Sequence, residues 1–156
     1  MKALVYVAAF APEQGETSGK LMVKFPGSRL TPDDLVARTF PIDAKTTGTD
    51  AYINPTVFRA VFCADLPAKK AAVMAAAQRP STLATLGEPS GAPAWKTIPS
   101  WYLVARKDQA IPPAAQRFMA ARMKAHVREV SSSHVAMTSH PGVTAYLVRT
   151  AARATS

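Results

Sequence analysis

The sequence predicts an α/β protein built on a parallel sheet, and three observations carry that reading. Two short runs, 3–10 and 100–105, are apolar almost throughout and rich in β-branched and aromatic residues, the pattern of strands buried on both faces. Segments with helix start signals and helical apolar spacing lie between and after them. The order is strand, helical insert, strand, helix, strand, helix, with no internal repeat.

The first run closes at Ala11-Pro12. A strand buried on both faces needs a neighbour on each side, and only the downstream sequence can supply one here. It is therefore expected to pair in parallel with 100–105 and to stay open on its other edge. Residues 12–50 are rich in Pro, Gly, Ser, Thr and charge, with weak periodicity, and read as loop with short helical pieces. Asn54-Pro55 has the form of a helix start, with Asn as N-cap and Pro at the first helical position. Val57, Phe58, Val61 and Phe62 give that helix one apolar face. Asp65-Leu66-Pro67 opens a second helix through Ala77, stopped by Arg79-Pro80. A third, short helix is expected from Ser81 to Leu86, ending at Gly87.

After a Pro/Gly-rich linker at 88–94 comes the strand 100–105. Pro112-Pro113 begins a helix in which Phe118, Met119 and Met123 recur at helical spacing. A short strand follows at 127–130. Pro141 then begins a terminal helix with Val143, Leu147 and Ala151 along one side.

Composition narrows the function classes. The chain has 156 residues, 48% hydrophobic and 19% charged, enough for one domain with a real core and unlike a disordered segment. No apolar run approaches the roughly 18 residues needed to cross a bilayer. Lys2 and the apolar residues after it imitate a signal peptide. However, the charged region is a single Lys and Pro12 directly follows the cleavage-like Ala9-Phe10-Ala11, which favours a strand and a cytoplasmic protein. One cysteine, Cys63, excludes an internal disulfide and a cysteine zinc site, and its apolar neighbours make it a buried small residue rather than a reactive thiol. The net charge is +9, from 19 Lys and Arg against 10 Asp and Glu. The basic residues are scattered, with no run longer than a pair such as Lys69-Lys70, so a solvated surface is favoured over a nucleic-acid site. No nucleic-acid or membrane partner is expected. No group of His, Asp and Glu has metal-ligand spacing, and no cofactor is expected.

Two residues stand where chemistry collects. Asp108 follows the strand ending at Ala105, and His134 follows the strand ending at Val130. Ligands of open parallel sheets bind outside the carboxyl ends of the strands, so both lie at one edge. A carboxylate there can hold an imidazole in one tautomer and stabilise its protonated form. Asp108 could instead be an ordinary turn carboxylate, and His134 a loop residue that merely packs. His140, ahead of Pro141, reads as structural or solvent-facing, and His126 as a surface residue opening a strand. Trp95 and Trp101 read as packing residues rather than substrate stackers.

These segments carry a resemblance. Ser-Trp-Tyr-Leu-Val-Ala-Arg-Lys-Asp-Gln-Ala-Ile-Pro-Pro at 100–113 resembles the acid-bearing strand and turn of the α/β-hydrolase superfamily. Ser-Ser-Ser-His-Val-Ala-Met-Thr-Ser-His-Pro at 131–141 resembles its histidine loop. Residues 3–12 are similar to the strand after its nucleophile helix. Gln78-Arg79-Pro80 and residues 88–96 resemble the end of the cap in an esterase-like bacterial branch.

The resemblance implies the C-terminal part of an α/β-hydrolase parallel sheet with a small helical cap insertion. Residues 1–14 would be the first strand and loop, 15–96 the cap, and 97–156 the strand–helix–strand–helix unit bearing acid and histidine. It also implies hydrolysis of a small-molecule carboxylic ester by a Ser-His-Asp triad, with Asp108 as acid and His134 as base. Phe58, Phe62, Met74 and Trp95 would wall the substrate. The departure is the nucleophile: no Gly-x-Ser-x-Gly occurs. The nearest imitation, Gly15-Glu16-Thr17-Ser18-Gly19, centres on Thr17 and is expected in loop rather than between strand and helix. The family places its serine and oxyanion turn ahead of 3–10, so the sequence reads as truncated. A non-catalytic or split-enzyme fragment, associating through an open sheet edge, is the alternative.

Overall fold

The computed structural model describes residues 1–156. In chain order the elements are β1 (Leu4–Val7), α1 (Ser18–Val23), β2 (Leu35–Pro41), β3 (Thr47–Ile53), α2 (Pro55–Phe62), α3 (Ala68–Ala76), β4 (Ser81–Thr82), β5 (Ser100–Ala105), α4 (Pro113–Arg122), β6 (His126–Val130), α5 (Ala136–Ser139) and α6 (Pro141–Ala154). Strands β1, β5 and β6 form one parallel sheet with β5 in the middle.

Every residue of β5 is buried, which a central strand covered on both faces requires. Side chains alternate across a strand, and the two faces of β5 go to two cores. Tyr102 and Val104 pack with Ala115, Met119 and Ala120 of α4, and with Leu21 of α1. Trp101 and Leu103 pack on the other face with Leu147 and Ala151 of α6. A crossover helix is needed to bring parallel β5 and β6 side by side, and α4 supplies it. As the sequence predicts, β1 pairs in parallel with β5, Leu4 opposite Ser100 through Val7 opposite Leu103, and with no other strand. The strand ends at Val7 rather than Phe10 because Ala8 turns to φ 44°, outside the β region.

The stretch between β1 and β5 differs from the expectation. Of 12–50, read as loop with short helical pieces, α1 is such a piece, but β2 and β3 form an antiparallel hairpin, with β4 adding a third strand. Most of β2 faces solvent, so no apolar alternation marks it. Its turn is held by Asp43, whose Oδ1 accepts from Lys45 N–H at 2.7 Å and Thr46 N–H at 2.9 Å. Gly48 stands opposite Phe40, and a Cβ there would come within 2.5 Å of the Phe40 ring. The helix expected from Ser81 is also corrected: Ser81 and Thr82 pair with β3, and Leu83–Leu86 form a 3₁₀ turn. Helices α2 and α3 lie close to where their start and stop signals put them. No helix is long and apolar enough to cross a membrane.

Helix α4 ends in a Schellman motif, Ala125 N–H to Ala120 C=O and Lys124 N–H to Ala121 C=O, both 3.0 Å. Lys124 adopts φ 52° there, a conformation that suits glycine. Lys124→Gly is expected to raise unfolding stability by about 0.5–1 kcal/mol, read as a higher denaturation midpoint at unchanged slope. A lower midpoint would show that the lysine's own contacts outweigh its backbone strain.

Candidate active site

The turn after β5 bends back on itself because Asp108 satisfies the backbone ahead of α4. Its Oδ1 accepts from Ala110 N–H at 2.8 Å and Ile111 N–H at 3.0 Å. The same turn is tied to the end of β6, where Arg106 N–H reaches Val130 C=O at 2.9 Å and Lys107 N–H reaches Ser132 C=O at 3.0 Å. These bonds bring the segment after β6 alongside the segment after β5. There the two residues singled out in the sequence meet: His134 Nδ1 lies 2.8 Å from Asp108 Oδ2.

Asp108 is 1% exposed, so its hydrogen bonds must come from the protein. Oδ2 also accepts from Gln116 Nε2 at 2.7 Å. Gln116, itself fully buried on α4, bonds three groups. Its Oε1 accepts from Ala105 N–H at 3.0 Å, and its Nε2 also donates to Ile111 C=O at 2.9 Å. Three of the four partners of Asp108 thus present donors, two of them backbone amides. That array suits a carboxylate, an acceptor on both oxygens. The bond to His134 then requires a ring proton on Nδ1, and the neutral ring in that tautomer has its lone pair on Nε2. Asp108 is the hydrogen-bond partner of the ring, and no protein group bonds Nε2. The His134 side chain keeps 20% of its surface accessible. Such a pair can take a proton at Nε2 while the carboxylate stabilises the imidazolium.

The loop carrying His134 is gripped from α2 and α3. Phe62 packs on the imidazole with ring centroids 4.8 Å apart. Val135 joins a cluster with Phe58, Cys63, Leu66, Ala71 and Ala75, against which Met74 also packs. Ser133 donates its N–H to Asp65 Oδ2 at 3.1 Å and its hydroxyl to Asp65 Oδ1.

The remaining candidates fall elsewhere. Trp95 packs against the cluster of Ala11, Leu21 and Tyr102 and donates Nε1–H to Pro12 C=O at 3.1 Å, apart from Phe58, Phe62 and Met74. Trp101 is core, and His126 stacks on it at 4.9 Å where β6 starts, the end of the strand away from His134. His140 stands at the N-cap position of α6 without a side-chain capping bond, its Nε2 3.3 Å from Ser131 C=O. Cys63 is fully buried, and burial pushes its thiol up from the ordinary range. Thr17 is a helix N-cap, its Oγ1 accepting from Lys20 N–H at 3.2 Å. The Gly15–Gly19 imitation therefore does lead into a helix, α1, contrary to the loop expected. A full loop separates it from β1, so it is not the sharp strand-to-helix turn of a nucleophile elbow.

Sequence reasoning missed Gln116, Asp65 and Ser133. Gln116 left one trace, a polar residue among Ala115, Met119 and Ala120 on the buried side of α4. Asp65 left none beyond its place before α3.

Known proteins bear on the fold and the family. The family model described as the Alpha/beta hydrolase family matches residues 1–145. No curated protein matches the chain. Among solved structures, polyneuridine aldehyde esterase superposes with a TM-score of 0.72 at 15% identity, over 96% of this chain and 62% of that one. A methylesterase from Arabidopsis gives 0.70 at 17%, over 96% and 58%. A pyrethroid hydrolase from Sphingobium faniae gives 0.64 at 21%, over 96% and 60%. The chain thus spans less than two thirds of the length of these structures. With a parallel sheet, a crossover helix and a matching family model along most of its length, the chain belongs to the Alpha/beta hydrolase family.

Proposed function

We propose that this chain supplies the acid and the base of a carboxylic ester hydrolase: Asp108 orients His134, and His134 activates a serine hydroxyl that lies outside this sequence. The observation that carries the proposal is the 2.8 Å bond from Nδ1 to Oδ2, with Nε2 left free of protein partners. In the reaction, Nε2 removes the serine proton as the serine oxygen adds to the ester carbonyl. The proton then passes to the departing alcohol, and water attacks the acyl-enzyme through the same base. Residues 15–96 act as the cap, in which Phe62, packed on the His134 ring, gives an apolar wall beside the base. The similarity to structures named as esterases supports an ester as substrate.

A second reading is favoured by one sequence fact, the lack of a Gly-x-Ser-x-Gly elbow. On that reading the chain is a non-catalytic binding part that associates through the free edge of β1. One assay separates the readings. The purified chain is expected to hydrolyse a short aryl ester at background rate, since loss of the nucleophile costs about 10⁶ in turnover. Supplying a segment that bears the serine elbow is expected to restore activity that His134→Ala abolishes. Activity of the chain alone that disappears in His134→Ala would place the nucleophile within this sequence, at Thr17, Ser18 or another hydroxyl, and would overturn the proposal. Association with the segment without hydrolysis would favour the second reading.

A further inference from the structure

We propose that Asp65 is a positioning residue for His134, clamping the loop that carries the base to the turn between α2 and α3; this rests on the acid–histidine reading above. Three consecutive residues of the loop are held by that one region. Ser133 gives Asp65 both its backbone N–H, at 3.1 Å, and its hydroxyl. Phe62, at the end of α2, packs on the His134 ring at 4.8 Å. Val135 is buried among Phe58, Cys63, Leu66, Ala71 and Ala75.

Ring packing and apolar burial set how deep the loop sits, but neither fixes its rotation about the strand axis. Two hydrogen bonds donated to one carboxylate by the N–H and the hydroxyl of one residue do fix it, and bonds to a charged acceptor are the stronger kind. Burial pushes the Asp65 carboxyl up, but the two bonds from Ser133 outweigh it and the group is held below the usual carboxylate range. At the far end of the loop the Ser139 hydroxyl lies 3.0 Å from that of Ser132, beside the clamped residue. The orientation matters because the bond to Asp108 needs His134 in one rotamer, and misplacing a base by about 1 Å costs on the order of 10² in rate. Asp65 and Ser133 are 68 residues apart in the chain, so the clamp also makes the α2–α3 segment part of the base's support.

The proton on His134 Nδ1 reports this directly. In a carboxylate-bonded imidazole it gives a far-downfield NMR signal that exchanges slowly with water, assigned here by its loss in His134→Ala. In Asp65→Ala its exchange is expected to quicken about tenfold or more, the equivalent of losing one bond to a charged group. Backbone amides of Leu103 and Val104 in the central strand are expected to keep their protection, which a general loss of stability would not allow. An unchanged His134 signal in Asp65→Ala, or an equal loss of protection at Leu103 and Val104, overturns the positioning role. If Asp65→Ala does not fold, Ser133→Ala removes only the hydroxyl bond and decides by the same two readouts. A several-fold faster exchange at His134 alone supports the clamp, and no change overturns it. Asp108→Asn keeps the two failures apart. If the signal is absent from the parent chain, or survives Asp108→Asn, it is the acid–histidine pair itself that fails, and the clamp with it.

Discussion

Asp108→Asn, in the enzyme assembled with its serine, is expected to lower kcat by about 10⁴. The four bonds of Asp108 explain why so small a change acts so strongly. With its oxygen turned to the amides of Ala110 and Ile111, the new side chain keeps those two bonds. Its amide nitrogen then faces Gln116 Nε2 and His134 Nδ1, two groups that donate to Oδ2 in the native arrangement. Donor against donor is repulsive, and His134 escapes it by moving its proton to Nε2. Nε2 then has no lone pair for the nucleophile's proton, and no charge remains to stabilise an imidazolium. The loss should fall on kcat rather than on KM, because no substrate contact is removed. A loss of less than about tenfold would show that His134 does not depend on Asp108.

What the sequence revealed, and what it hid, follows from which interactions leave a local trace. Strand β5 was legible to the residue because burial on both faces permits only apolar side chains, and 100–105 has almost nothing else. Asp108 and His134 were legible because strand ends mark the edge where ligands collect. The hairpin of β2 and β3 was not, since a strand facing solvent needs no apolar alternation. Its nearest local signals were the turn at Asp43 and the glycine facing Phe40, and both are also common in loops. Asp65 and Gln116 escaped for a different reason. Each acts through a partner that only the folded chain brings near: Ser133 for Asp65, and Asp108, Ala105 and Ile111 for Gln116. A carboxylate before a helix looks like a first-turn acid whether or not it holds a distant loop.

Gln116→Leu is expected to cost about 3–5 kcal/mol of unfolding stability, more than any change of similar size on the outer face of α4. Leucine has nearly the volume of glutamine, so the cost is one of hydrogen bonding rather than of a cavity. Three groups lose a partner where water cannot replace it: Ala105 N–H, Ile111 C=O and the buried Asp108 carboxylate. Ala105 N–H and Ile111 C=O are left unpaired at roughly 1–3 kcal/mol each, while Asp108 keeps three of its four partners and loses one charge-assisted bond. The neighbouring Arg117 provides the control. It makes two 2.7 Å bonds to Glu129 with ideal fork geometry, but the two side chains remain 48% and 34% exposed. Water and salt screen that pair, so Arg117→Ala is expected to cost less than about 1 kcal/mol. Denaturant unfolding of the two variants side by side is the measurement. If Arg117→Ala costs as much as Gln116→Leu, burial is not what gives the Gln116 network its weight, and Asp108 would have to be held chiefly by its two backbone amides. If the ordering holds, Gln116→Leu should also weaken the downfield His134 proton signal, because Oδ2 would have lost the amide that fixes its direction.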